Sequence, residues 1–237
     1  MQPNFPRCYK ISSKPHKFCP GCGYGIILKN LGRVIDEEKL APHFTFLTDI
    51  GCNLLAWDFF DLPTAQTHHG RTVPTAVGFK MARPNETLVC LVGDGGGYAI
   101  GLQNLIHACL RNTAITVILV NNTNYGMTGG QLSPTTLANQ ITDSTPFGKK
   151  DNLAGKMFTG PEFLRKLAWP KAYLARASSD RPALLKKYLQ KAIAAQAAGN
   201  FSLVEVISAC PLNWKTGAEQ TISRLKALEK SFAIGEF

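Results

Sequence analysis

Short apolar runs alternate with stretches of helical period along the chain, which is the pattern of βα units on a largely parallel sheet. Strands are predicted over 43–48 (HFTFLT), 88–93 (LVCLVG), 115–121 (ITVILVN), 172–177 and 202–207 (SLVEVI). The second, third and fifth are nearly all apolar, as strands covered on both faces must be. Apolar positions spaced three and four apart predict helices over 23–34, 72–82, 99–110, 162–168, 181–198 and 217–230. The expected fold class is therefore α/β, a largely parallel sheet with helices on both faces. No stretch has the composition of a linker, so one domain is expected over 1–237.

Two regions depart from the pattern. Residues 125–156 hold Gly126, Gly129, Gly130, Pro134, Pro146, Gly148 and Gly155 with few apolar runs. Irregular stretches of that length inside a compact domain are usually functional or disordered. Residues 1–22 are also irregular and contain three cysteines, so some other contact must hold them in place.

Composition narrows the classes. Hydrophobic residues make up 45% and charged residues 18%, with 21 Gly and 14 Pro dispersed, which excludes disordered and collagen-like chains. No apolar run reaches a membrane span and the start has no signal-peptide core, so a cytoplasmic protein is expected. Seven cysteines are too few, and odd in number, for a disulfide scaffold, which favours reduced thiols or a metal. Net charge is +10, which predicts attraction to an acidic partner. Basic runs and aromatic-basic interleaving are both missing, so nucleic acid is not the expected partner.

The glycine-rich segment Gly93-Asp94-Gly95-Gly96-Gly97 follows a predicted strand and precedes a helix, where backbone amides can face a phosphate. An aspartate at that place repels phosphate unless a cation lies between, so Gly-Asp-Gly points to a magnesium bridge. After 25 intervening residues, Asn121-Asn122 ends the next predicted strand. The taut reading of Gly-Asp-Gly alone is a turn; the βαβ frame and the Asn-Asn pair argue for an ion held between two strand ends.

Cys19-Pro20-Gly21-Cys22 has the spacing of a metal-ligand pair. Cys52 and Cys210 each follow a predicted strand and have glycine or proline neighbours, so four thiolates are available for a 4Fe-4S cluster or a tetrahedral zinc. Cys90 and Cys109 read as small buried thiols, and Cys8 has no assigned place.

Together these features resemble the thiamine-diphosphate-binding β subunit of the 2-oxoacid:ferredoxin oxidoreductases. The resemblance rests on FCPGCGYGI at 18–26, DIGC at 49–52, HHGRTVPTAVGFKMARP at 68–84, GDGGGYAIG at 93–101, NNTNYGMTGGQLSPTT at 121–136 and SLVEVISACPLNW at 202–214. It implies a thiamine-diphosphate-binding fold, with magnesium held by Asp94, Asn122 and the main-chain carbonyl of Asn124. It implies cofactor contacts from Gly51, Cys52, His69, Gly93, Gly95, Gly96, Tyr125, Gly126, Met127 and Thr128, with the Thr128 hydroxyl as a phosphate donor. Cys19, Cys22, Cys52 and Cys210 would bind one 4Fe-4S cluster. The implied reaction is oxidative decarboxylation of a 2-oxoacid with coenzyme A to acyl-CoA and CO₂, electrons passing through the cluster to an acidic ferredoxin.

The same resemblance implies a hetero-oligomer. The glutamate that thiamine enzymes place on the cofactor has no candidate here, Glu86 and Glu162 reading as surface turns, and in the family the α subunit supplies it. The chain alone is therefore expected to be inactive, and γ and ferredoxin-like δ subunits are possible further partners. Met127 and the CPLNW segment look closest to the 2-oxoisovalerate branch, while 2-oxoglutarate, pyruvate and aryl-2-oxoacids stay open. The family's lysine after the third cysteine is missing from GCNLLAW, which leaves Arg71 or a partner residue for the substrate carboxylate. The ending FAIGEF resembles the family's short tail, so a complete chain is expected.

Plainer readings stand beside these. Asn53 is either an active-site polar group or a turn former, and His69 either a cofactor contact or the cap of the next helix. His107 reads as a core histidine and 186–191 (KKYLQK) as a solvated helix face. Competing functions are a non-redox thiamine enzyme with a structural zinc, and a basic zinc-bearing interaction module in which Gly-Asp-Gly is only a turn.

Overall fold

A computed structural model describes residues 5–237. The strands are β1 (Phe44–Thr48), β2 (Thr64–Gln66), β3 (Thr87–Gly93), β4 (Thr116–Asn121), β5 (Tyr173–Ser178), β6 (Ser202–Ile207) and β7 (Gly235–Glu236). They form one sheet in the order β2-β1-β3-β4-β6-β5-β7, in which only β7 runs antiparallel to its neighbour. The helices are α1 (Tyr24–Glu37), α2 (Thr72–Ala82), α3 (Leu102–Leu110), α4 (Asp151–Ala154), α5 (Gly160–Arg165), α6 (Pro182–Ala197), α7 (Pro211–Trp214) and α8 (Ala218–Leu228).

Alternation along β3 shows how the layers assemble. Val89 and Leu91 pack with Ile27, Leu28 and Leu31 of α1 and Leu185 and Leu189 of α6. Leu88, Cys90 and Val92 point the other way, to Val73 and Ala76 of α2, Leu105 and Ala108 of α3 and Leu164 of α5. Each buried Val, Leu or Ile among them contributes roughly 1.5–3 kcal/mol of transfer free energy. A third apolar group, built on Ile207, Trp214, Leu225, Leu228 and Phe232, seats α7 and α8 beyond the end of β6.

The chain leaves β1 toward β2 on one side and β3 toward β4 on the other. Neighbouring strands whose connections part in this way open a crevice beyond their carboxyl ends, where open α/β sheets bind ligands.

Both irregular regions are tied down. In the first, Tyr9 and Phe18 enter an aromatic group with Tyr24, Phe59 and Phe60, and Phe18 stacks on Tyr24 at 4.9 Å. Cys8 is buried there, its thiol donating to the Gly32 carbonyl at 3.5 Å. In the second, the buried Lys149 ammonium donates to the Thr136 carbonyl at 2.8 Å. Thr136 and Gln140 side chains in turn donate to the Thr123 carbonyl at 2.7 and 3.0 Å.

The five predicted strands and six predicted helices all form, α2 and β6 with the predicted ends and the others with shifted ones. The helix expected from 99 begins at Leu102, because Gly96–Ile100 makes a wider π turn ahead of it. Strands β2 and β7 were not expected; at three and two residues they carry no periodicity and exist only through pairing. His107 is exposed rather than in the core, since α3 turns Leu105, Ala108 and Cys109 inward. Glu162 lies in α5 rather than a turn and pairs with Arg176 at 2.6 Å.

Candidate active site

The segments after β1, β3 and β4 surround a cavity of about 280 Å³. Of the residues singled out in the sequence, Gly51, Cys52, Asn53, His69, Gly93, Asp94, Gly95, Gly96, Asn122, Asn124, Tyr125, Gly126, Met127 and Thr128 line it. Arg71 does not: it precedes α2 as an exposed residue, and no Lys or Arg is among the lining residues. Tyr24, Ile50, Ala99, Ile100 and Val120 also line it and were not anticipated. These are apolar or aromatic positions that sequence spacing reads as ordinary core.

Glycine is required at the tightest points. A Cβ on Gly96 would stand 1.7 Å from Asp49 Oδ2, and one on Gly95 2.4 Å from the Tyr125 ring. Gly51 has φ +99°, a conformation that side chains with a Cβ rarely adopt.

Asp94 is buried at the head of the cavity. Its Oδ2 accepts hydrogen bonds from the Ser133 and Thr135 hydroxyls, both at 2.7 Å, and its Oδ1 from the Gly95 amide at 2.9 Å. Burial pushes its carboxyl up to about 6, against the pull of those donors. Ser133 and Thr135 were also not anticipated; they lie some forty residues downstream and only the folded loop brings them back. Asn122 Oδ1 accepts from the Asn124 amide at 3.3 Å, and its carbonyl from the Trp214 indole at 3.0 Å. Asn124 Oδ1 and Asp49 Oδ2 are buried without a hydrogen-bond partner. A buried carboxylate with no ion pair and an unsatisfied amide oxygen, both lining one cavity, are oxygen donors of the kind a hard divalent cation takes, so these residues fit magnesium. The unsatisfied atom of Asn124 is its side-chain oxygen, whereas the resemblance implied its main-chain carbonyl.

Asn53 is buried, with Oδ1 accepting the Tyr24 hydroxyl. Thr128 donates its hydroxyl to Gln131 Oε1. His69 is exposed at the cavity, and His68 lies outside its lining.

Cys52 belongs to the cavity wall, and Cys22 and Cys210 are half-buried nearby while Cys19 is exposed. Burial pushes the Cys22 and Cys52 thiols up to about 12, and neighbouring cysteines of the same set add to the rise. Among the described residues no three His, Cys, Asp or Glu side chains close on a point suited to one ion. Four cysteines whose thiols perturb one another are the donor set of either a 4Fe-4S cluster or a tetrahedral zinc. Cys90 and Cys109 are buried away from this set, as expected.

A cavity at the parting of β1 and β3, with a buried acid among asparagine oxygens, defines a cofactor-binding α/β protein. A family model described as thiamine pyrophosphate enzyme, C-terminal TPP binding domain, matches residues 49–206, and the chain belongs to this family. Its homologues are subunits of 2-oxoacid oxidoreductases. It is 34% identical over 225 residues to the ketoisovalerate oxidoreductase subunit VorA of Methanothermobacter thermautotrophicus, covering 93% of this chain and 47% of that one. It is 36% identical over 198 residues to the 2-oxoglutarate synthase subunit KorB of Methanocaldococcus jannaschii, covering 83% and 70%. The chain thus spans about half the length of the VorA subunit. Among solved structures, the 2-oxoglutarate:ferredoxin oxidoreductase from Magnetococcus marinus with 2-oxoglutarate, coenzyme A and succinyl-CoA bound matches with a TM-score of 0.79 and 30% identity, over 90% of this chain and 70% of that one. The α/β TPP-binding fold is common to both.

Proposed function

We propose that the chain is the thiamine-diphosphate-binding β subunit of a 2-oxoacid:ferredoxin oxidoreductase, read as one domain over 1–237. The observation that carries this reading is that the buried Asp94 and Asn124, with its unsatisfied side-chain oxygen, line one cavity whose wall includes Cys52. The net reaction converts a 2-oxoacid and coenzyme A to acyl-CoA, CO₂ and a proton, with two electrons passing to ferredoxin. Its acidic surface would suit the +10 charge of this chain.

Asp94, Asn122 and Asn124 would hold magnesium, and through it the diphosphate. Thiamine diphosphate, when bound, supplies an acceptor for the electron pair left on the substrate carbon as CO₂ departs. Cys19, Cys22, Cys52 and Cys210 would hold a 4Fe-4S cluster that takes the electrons singly. Within the chain, Gly95 lets Tyr125 approach the cavity wall, Gly96 leaves room for the buried Asp49 carboxylate behind it, and Asn53 is oriented by Tyr24. Ile50, Ile100, Val120 and Met127 give the cavity apolar surface. The α subunit would supply the glutamate, with γ and δ subunits in larger assemblies. A cytoplasmic location belongs to the same reading; among the described residues no helix is long and apolar enough to cross a membrane.

For the substrate we favour a 2-oxoisovalerate-like acid. The lining has no Lys or Arg, and Met127 and Ile100 present apolar surface. The KorB relatives and the 2-oxoglutarate-bound neighbour favour the alternative, 2-oxoglutarate, whose second carboxylate needs a cation from another chain.

The test is anaerobic purification with the partner subunits, followed by metal, sulfide and thiamine analysis and EPR after 2-oxoacid and coenzyme A. The expected result is about four iron and four sulfide per chain, with a substrate-dependent signal. Zinc without sulfide overturns the redox reading and leaves a non-redox thiamine enzyme. Comparing kcat/KM for 2-oxoisovalerate, 2-oxoglutarate and pyruvate in that complex assigns the substrate.

A further inference from the structure

Asn213 stands where the loop that lines the cavity meets the cysteine set. It sits in α7, three residues after Cys210, and its side chain folds back on that cysteine. Asn213 Nδ2 lies 2.8 Å from the Gly126 carbonyl and 3.4 Å from Cys210 Sγ. A main-chain carbonyl only accepts, so the amide nitrogen must face it, and its two hydrogens serve one acceptor each. There is little room for the loop to settle elsewhere. A Cβ on Gly130 would stand 3.0 Å from Asn213 Cβ, and a Cβ on Gly126 3.1 Å from Cys52 Sγ. The neighbouring Trp214 donates its indole N–H to the Asn122 carbonyl at 3.0 Å, so α7 grips the same loop twice.

We infer that Asn213 is a positioning residue that locks the Tyr125–Gly130 loop to the cysteine set and, through its N–H···S bond to Cys210, sets the reduction potential of the cluster held there. This rests on the proposed function for the cluster and goes beyond it in assigning a residue that is neither a ligand nor part of the active-site cavity's lining. An N–H donor aimed at a ligating sulfur stabilises the state with more negative charge on the cluster, which is the reduced one. Removing it therefore lowers the midpoint potential. Because the same amide holds Gly126, its removal also frees the loop.

The experiment compares the wild-type complex with Asn213→Leu, which keeps the branched outline and removes the donor, and Asn213→Asp, which keeps the shape and adds negative charge. Iron and sulfide content, the midpoint potential from an EPR-monitored titration, and hydrogen exchange over Tyr125–Gly130 are read for each. The expected result is a lower potential in Asn213→Leu, lower still in Asn213→Asp, with faster exchange in the loop for both. A variant that keeps its cluster at the wild-type potential overturns the inference while leaving the proposed function intact. Loop exchange equal to wild type also overturns it, whether or not the variant retains iron. Wild-type complex without iron and sulfide on this chain overturns the proposed function and this inference together.

Discussion

Two glycines of the chain should respond in opposite ways to the same added methyl group. Gly96 has Asp49 Oδ2 where a Cβ would go, whereas Gly78 in α2 is exposed with nothing within 4 Å. Gly96→Ala is expected to cost about 1–3 kcal/mol through overpacking and to abolish thiamine diphosphate binding. Gly78→Ala is expected to stabilise by about 0.5–1 kcal/mol, because alanine loses less backbone freedom in a helix. Urea unfolding of the two variants beside wild type measures both. Asp94 gives a second prediction: magnesium with thiamine diphosphate at a hundredfold its Kd should stabilise wild type by about 2.7 kcal/mol. The accompanying rise in Tm is expected to vanish in Asp94→Asn. At this scale the sequence was most legible where backbone geometry and charge dictate residue type. Gly93 to Gly96, Asp94 and Asn122 stand out for that reason, while Ser133 and Thr135, which hold the Asp94 carboxylate, are hydroxyls in an irregular stretch with no local signal.

Among the elements, β5 and β6 are joined by more than their ladder. Arg176 of β5 is fully buried, pairing with Glu205 of β6 and Glu162 of α5 at 2.6 Å each and donating to the Ala233 carbonyl. Glu205 also accepts the Asn121 side-chain amide at 2.8 Å, and Asn121 Oδ1 accepts the Thr123 amide at 3.0 Å. The chain of contacts thus runs from the C-terminal segment to the loop that carries Asn122 and Asn124. Arg176→Ala leaves a buried carboxylate unpaired and is expected to cost about 3–5 kcal/mol, measured by urea unfolding. Glu162→Gln, at the half-exposed end, is expected to cost less than that. The predicted strands β3 and β4 were legible as nearly unbroken apolar runs, and β1, β5 and β6 as mostly apolar runs of five or six residues. Strands β2 and β7 were not, since pairing alone creates them, and the late start of α3 reflects the wide turn at Gly96–Ile100 rather than any break in hydrophobic pattern.

At the scale of the whole molecule, the cavity is incomplete in charge. Its lining contains one acid, Asp94, three asparagines and a histidine but no Lys or Arg, and Ile100, Tyr125 and Met127 at its edge remain exposed. The isolated chain is expected to bind magnesium and thiamine diphosphate yet show no 2-oxoacid turnover, with activity appearing on addition of the α subunit. Turnover by the purified chain alone would remove the case for a divided active site. The order of strands in the sheet also has a bearing on synthesis. β6 lies between β4 and β5, so when β5 leaves the ribosome its neighbour has not yet been made, and one edge of β4 is still bare. Through the twenty-odd residues of α6 and its flanks, the nascent chain carries an unpaired β5 and the bare edge of β4, both prone to pair with a neighbouring chain. Slowing translation between residues 179 and 207 should therefore lower the yield of folded protein more than slowing it anywhere later.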